Sequence, residues 1–388
     1  MNMNRIAVLL VLAGVLGCSE PAAENEVTPD QTPTDPVRGT IINSEKQRFG
    51  LDTLASGLSN PWGLAFLPDG RILVTERAGE IRIIQNKRLT ADRIQNVPPV
   101  YRNGQGGLLD IQLHPNYATT GWIYFSYSKA GSGGGGTALA RAKLQGNSFT
   151  EIQELFVGQP FTNNGQHFGS RIAFDGEGYV YLSTGDRGNP ANAQNLANHW
   201  GKVIRLHDDG RVPSDNPFVG TANARPEIWS YGHRNVQGMT YDGATKTLWA
   251  HEHGPRGGDE INRVERGKNY GWPTITFGIN YDGTPITSET QRAGMEQPVR
   301  QWTPSIAPCG VTLVTSARYP NWKGNLLVGA LALRHVARVE VDASGRYLRE
   351  ERLLNNYARV RYVAQSPDGY IHVATESPGL VVRLVPVN

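Results

Sequence analysis

A chain of 388 residues that is 39% hydrophobic and 19% charged has the composition of an ordinary globular protein, with material for a large core. Its net charge of +3 is the balance of 38 Lys and Arg against 35 Asp and Glu, without a basic run, and this argues against nucleic acid as a partner. The 45 glycines and 24 prolines are scattered between apolar runs, a distribution that predicts many short strands joined by turns.

The chain begins with the pattern of an export signal. Arg5 precedes an apolar run from Ile6 to Val15 that is too short to span a bilayer, and Leu16-Gly17-Cys18 follows as a small-residue cleavage site. Residues 1–18 resemble a bacterial lipoprotein signal, in which Cys18 would become the acylated first residue and hold the protein on the periplasmic side of a membrane. An ordinary cleaved signal with an incidental cysteine is the alternative. Residues 19–44 are rich in Pro, Thr, Glu and Asp, lack apolar periodicity and predict a disordered tether. With Cys18 lipidated only Cys309 remains, so no internal disulfide is expected.

From residue 45 onward one pattern recurs: an apolar strand, a turn with Asp, Asn or Gly, and a second strand rich in β-branched and aromatic residues. It runs from Gly63 to Ile84, Ile111 to Ser128, Arg171 to Asp186 and Gly238 to Gly254, then more weakly from Val311 to Val341, and again from Tyr362 to Val385. Recurrence at intervals of about 50 to 75 residues predicts an all-β fold, a six-bladed β-propeller with four-stranded antiparallel blades over residues 45–388. A sandwich or barrel would explain the alternation but not the repeated turn. The long inter-blade segments should project from one face and meet over the central channel.

Polar residues concentrate at strand ends, where that geometry would gather them. Gln105 stands among glycines in NGQGGLLD, which is either a simple inter-blade turn or a place where a ligand approaches the backbone. His167 precedes an inner strand and Asp186 follows its hairpin partner, so the hairpin should make them neighbours. A carboxylate beside an imidazole sets its tautomer and raises its basicity, which makes a general base. Arg234, Asn235 and Gln237 crowd the segment before the fourth unit and offer multi-donor recognition of oxygen atoms. Arg359 and Arg361 precede the sixth unit with alternate spacing, so they face the same way and imply an anionic ligand. The stretch HEHGPRGGDEINRVERGKNYGWP, residues 251–273, carries His251, His253, Asp259 and Glu260 in a loop-like composition that marks a functional segment.

GHRNVQG, HEHGPRGGDEIN and NYGWP in this order, with GQGGLL and HFGSRIAFD upstream, resemble the soluble pyrroloquinoline quinone (PQQ)-dependent glucose and aldose sugar dehydrogenases over residues 49–388. The resemblance implies a six-bladed quinoprotein that oxidises an aldose at its anomeric carbon. His167 would take the hydroxyl proton while hydride passes to PQQ, Asp186 would orient it, and Arg234 would polarise the quinone carbonyl. Asn235, Arg359 and Arg361 would hold cofactor oxygens, with Gln105 and Trp302 near the cofactor or sugar. The carbonyls of Gly254 and Pro255 would hold a catalytic Ca²⁺, and Glu260 with the Tyr270 carbonyl a structural one. Neither spacing nor resemblance supports zinc at His251 and His253, which are expected as packing or pocket-wall residues. Two departures stand out: Ala332 takes the place of a family lysine that contacts PQQ, with Arg334 or His335 as substitutes, and Asn280 replaces an Asp ligand of the structural metal. The implied partners are an aldose, an unidentified electron acceptor and a membrane reached through the lipid anchor. A non-catalytic sugar-binding propeller and a calcium-dependent lactonase propeller are the alternatives.

Overall fold

The computed structural model describes residues 41–387; the expected signal, the acylation site Cys18 and nearly all of the expected tether lie outside the described residues. The described chain forms six antiparallel sheets, five of four strands and one of five. Each expected repeat contains the inner hairpin of one sheet, and the first, fifth and sixth take in the third strand as well. In blade 3, for example, Ile172–Phe174 and Tyr179–Ser183 lead outward to Lys202–His207 and Ile228–Tyr231.

The sheets bury both faces, which is why their strands read as apolar runs and not as clean alternations. In the blade 1 strand Ile72–Glu76 (ILVTE), neighbouring side chains point to opposite faces. Leu73 packs with Ile111 and Phe125 of blade 2, while Val74 packs with Ala374 and Val381 of blade 6. The same division produces one apolar cluster at each of the six interfaces between adjacent blades. The ring is thus held by side-chain burial between sheets, with short backbone links such as Gln95 N to the Asn147 carbonyl at 2.8 Å between blades 1 and 2.

The last blade is built from both ends of the described chain. Val360–Gln365, Ile371–Glu376 and Gly379–Val387 supply three strands, and Arg48–Ser56 pairs with the third. Ile42–Asn43 adds a fifth strand beside it, so the end of the segment expected as a tether belongs to the sheet.

At the axis, Arg171 ties the six blades together. Its guanidinium bonds the Gln237 carbonyl of blade 4 at 2.7 Å and the Arg361 carbonyl of blade 6 at 3.1 Å. It also reaches Asp110 of blade 2 at 3.4 Å and Cys309 Sγ of blade 5 at 3.5 Å, and lies 3.7 Å from the Trp62 ring of blade 1. This side chain is buried and sits beneath the cluster of candidate site residues.

Candidate active site

The His167 and Asp186 segments flank the inner hairpin of blade 3, and the hairpin brings them together as expected: His167 Nδ1 lies 2.6 Å from Asp186 Oδ1. A Cβ on Gly185 would fall 2.2 Å from the His167 carbonyl oxygen, so only glycine lets the two segments come this close. His167 itself has φ of 52°, a left-handed backbone that a non-glycine residue adopts at a cost and that recurs at functional sites. Its main-chain N–H donates to Gln105 Oε1 at 2.9 Å, which joins blade 2 to the same cluster.

Because a carboxylate accepts, Nδ1 carries the ring proton and Nε2 keeps a lone pair. Burial to 8% exposure, with the Arg234 and Arg187 charges, keeps His167 below the ordinary histidine value despite the pull of Asp186. The ring is therefore a neutral base. Asp186 is fixed from several sides: its Oδ1 accepts from Gly188 N at 2.7 Å, its Oδ2 from Trp272 Nε1 at 2.8 Å, and its own N–H donates to the Arg234 carbonyl at 2.8 Å.

The GHRN segment lies between the outer strand of blade 3 and the inner strand of blade 4. Gly232, at φ 78°, passes so close to Asn269 that a Cβ would fall 2.1 Å from its side-chain oxygen. Buried His233 bonds Glu252 Oε1 at 2.8 Å and Ser230 Oγ at 2.9 Å, and its ring stacks on Tyr270 at 4.6 Å. Glu252 Oε2 also accepts from Arg234 N at 2.6 Å, so the backbone is pinned where the Arg234 side chain leaves it. The Arg234 guanidinium bonds the carbonyls of His253 and Gly254, each at 3.1 Å, and lies 5.4 Å from the Trp272 ring. Asn235 Oδ1 accepts from Gly169 N at 3.1 Å and so supports the turn after His167.

The 251–273 stretch divides into a wall, a loop and a brace. His251 and His253 point at the carbonyls of Gly310 and Pro308, at 3.2 and 2.8 Å, and burial pushes His251 down to about 3. Asp259 Oδ1 accepts from Gly254 N at 2.9 Å, while its Oδ2 accepts from Ser305 Oγ, Ile306 N and Ala307 N at 2.7 to 2.9 Å. It therefore braces the loop that presents the Gly254 and Pro255 carbonyls. Burial, with the neighbouring Glu252 charge, pushes Glu260 up to about 8. Asn262 Nδ2 bridges Glu252 and Glu260 at 3.3 and 3.2 Å, and its buried Oδ1 has no hydrogen-bond partner. Tyr270 stands beside this cluster through its stacking on His233.

A cavity of about 310 Å³ opens next to these elements and is lined by Trp62, Gln105, Phe168, Gln237, Arg359 and Arg361 among others. Arg359 and Arg361 share it as expected, yet both are engaged by Glu376: Arg361 Nε at 2.7 Å from one oxygen, Arg359 Nε at 3.2 Å from the other. Burial raises the Glu376 carboxyl, but the two arginines more than offset this and hold it below its ordinary value. A larger cavity of about 700 Å³ lies at the opposite end of blades 6, 1 and 2, around the turns at Pro68 and Pro367. It is mostly apolar, and its His114 has both ring nitrogens engaged, Nδ1 by Asn116 N at 3.0 Å and Nε2 by Asp208 at 3.2 Å, so chemistry and not size selects the smaller one.

The structure places Trp302 on the outer strand of blade 4, packed with Trp249 and Ile261, where its Nε1 donates to Glu350 at 2.8 Å, and it is not among the residues lining the 310 Å³ cavity. Only its carbonyl serves the loop, accepting from Gly258 N at 2.8 Å. His335 turns into its blade toward the Leu333 carbonyl, so it does not substitute for a lysine at Ala332. Asn280 bonds Thr284 within an exposed turn. Sequence reasoning missed Glu376 and the Trp272 donor. Counting outward from the turn of the sixth repeat would have set Glu376 opposite the Arg359–Arg361 pair; nothing local marks the Trp272 contact.

A family model described as Glucose / Sorbosone dehydrogenase matches residues 58–383. The Aldose sugar dehydrogenase YliI of Escherichia coli K12 is 41% identical over 346 residues, which are 87% of this chain and 93% of that protein. The crystal structure of a soluble aldose sugar dehydrogenase from Escherichia coli in the apo form superposes with a TM-score of 0.84 at 41% identity, over 87% of this chain and all of that one (100%). The PQQ-bound aldose sugar dehydrogenase of Streptomyces coelicolor superposes with a TM-score of 0.72 at 28% identity, over 87% of this chain and 98% of that one.

Proposed function

Because the chain belongs to the Glucose / Sorbosone dehydrogenase family, we propose that it oxidises aldose sugars at the anomeric carbon, to the lactone, with PQQ as cofactor. The observation that carries this reading is His167, a neutral base with a carboxylate at 2.6 Å, standing beside a cavity lined by arginines. A binding module has no use for such a base.

The donor set suits a flat, polyanionic quinone. Arg359, Arg361 and Gln105 present charge and hydrogen bonds, and Trp62, Leu109 and Phe168 present apolar faces in the same cavity. These residues, with Arg234 and Asn235, would hold the cofactor. When bound, PQQ supplies an acceptor for the anomeric hydrogen and its electron pair. His167 Nε2 takes the proton of the anomeric hydroxyl as the carbonyl forms, and Asp186 balances the imidazolium charge. Proton and hydride leave the same C–OH unit, so the product is two hydrogens poorer than the sugar.

Calcium belongs to the same proposal. The Gly254 and Pro255 carbonyls would hold a catalytic ion, and Glu260 with the Tyr270 carbonyl a structural one. Support comes from the Gly254 carbonyl, which already accepts from a cationic guanidinium, and from the buried, unpartnered oxygen of Asn262, whose Nδ2 bridges Glu252 and Glu260; such oxygens suit a cation. The Leu16-Gly17-Cys18 pattern supports export and lipid anchoring at a periplasmic membrane surface.

Protein lacking residues 1–40 provides the test. It should reduce an artificial dye with an aldose only after PQQ and Ca²⁺ are added. Absence of turnover with every aldose tried, together with no PQQ-dependent visible absorbance, would remove this reading.

A further inference from the structure

The base and its carboxylate leave one oxygen to be explained. Asp186 Oδ1 serves His167 and Gly188 N; Oδ2 receives the indole N–H of Trp272 at 2.8 Å. Trp272 is buried, and its backbone is fixed at both ends: its N–H donates to the Gly232 carbonyl at 2.9 Å, and its carbonyl accepts from Gln194 Nε2 at 2.8 Å. Gly232 opens the GHRN segment, so the residue preceding His233 and Arg234 also sets the height of the indole. The NYGWP stretch therefore reaches from blade 4 back to the carboxylate behind the base in blade 3.

We propose that Trp272 is a positioning residue of the oxidation site: its indole N–H holds the Asp186 carboxylate in the one rotamer that serves His167 and tempers the basicity passed to the ring. The inference rests on His167 being the base of the reaction proposed above. An N–H donor withdraws negative charge from a carboxylate, so the indole lowers the attraction of Asp186 for an imidazolium. The other charges facing the pair are Arg234 and Arg187, which disfavour the imidazolium, and Lys202, which faces Asp186 from the third strand of blade 3. None of these donates to Oδ2; Gly188 N serves Oδ1, and the indole is the side-chain donor that fixes and tunes the other oxygen.

Trp272→Phe keeps an aromatic ring beside Arg234 and removes the donor. In protein labelled with ¹⁵N-histidine, without PQQ, the His167 ring should titrate with a midpoint about one pH unit higher in W272F than in the wild type. His167→Gln identifies the resonance. In the loaded enzyme the acid limb of kcat should move the same way, kcat should fall roughly tenfold or more, and KM should change little. An unchanged His167 midpoint in W272F overturns the inference, whatever the sugar assay gives. Absence of sugar oxidation with a shifted midpoint instead removes the proposed reaction and leaves the coupling standing. If W272F does not fold, the wild-type indole N–H resonance of Trp272 must follow the His167 midpoint, and an indole indifferent to that titration overturns the inference equally.

Discussion

The two halves of the candidate site are prepared to different degrees. On the blade 3 and 4 side, His167, Asp186, Trp272, Gly188 and Arg234 already stand in one network of bonds between 2.6 and 2.8 Å, and Nδ1 is the His167 nitrogen it engages. On the blade 6 side, Arg359 and Arg361 are occupied by the protein's own Glu376. Proton transfer depends on geometry within a few tenths of an ångström, so its parts are held rigidly before anything binds. Charge recognition can instead be exchanged, one carboxylate for another, and Glu376 keeps the exposed Arg359 and the partly buried Arg361 paired within the protein.

That contrast can be broken most forcefully at the base. His167→Ala should retain PQQ binding and lose turnover by about 10² to 10⁴, the usual scale for a missing general base, as read from kcat with saturating aldose. If turnover survives, the rigid half is not the chemical half. Arg361→Gln should do the reverse, weakening PQQ binding roughly ten- to hundredfold in a fluorescence titration of the apo-protein while leaving the His167 ring midpoint unmoved. Glu376→Gln frees both arginines, so PQQ should bind up to about tenfold tighter in the same titration. Weaker binding there would mean that Glu376 orients the arginines instead of occupying them.

The smallest effect is a position on a pH axis. His167 acts when neutral, and its folded value lies below 6.5, so the rate should rise with pH through a midpoint lower than that of a free histidine. A midpoint above 6.5 would show that Asp186 outweighs burial and the two arginines.

The sequence made local pairings legible and distant ones obscure. His167 and Asp186 flank a single hairpin, so counting along the repeat sufficed to place them together. Arg359 and Arg361 were readable as a same-facing pair because strand geometry alternates every residue. Glu376 ends the next strand as an ordinary acidic residue before a turn, and Trp272 meets Asp186 across 86 positions of chain. Trp302 looked like a site residue because its neighbours resemble one, but the strand that ends there packs it into the 4–5 interface. Arg48–Ser56 carries an unremarkable strand pattern, and nothing in it announces a partner at the far end of the chain.

That shared last sheet also gives the molecule a direction. Glu376 pairs with Gly379 at the cavity end of blade 6, whereas Arg48 pairs with Val387 at the other end, and Ile42–Asn43 continues beside Arg48. The strand that closes the ring, Arg48–Ser56, therefore runs toward the cavity end of blade 6, beside a strand, Gly379–Val387, that runs away from it.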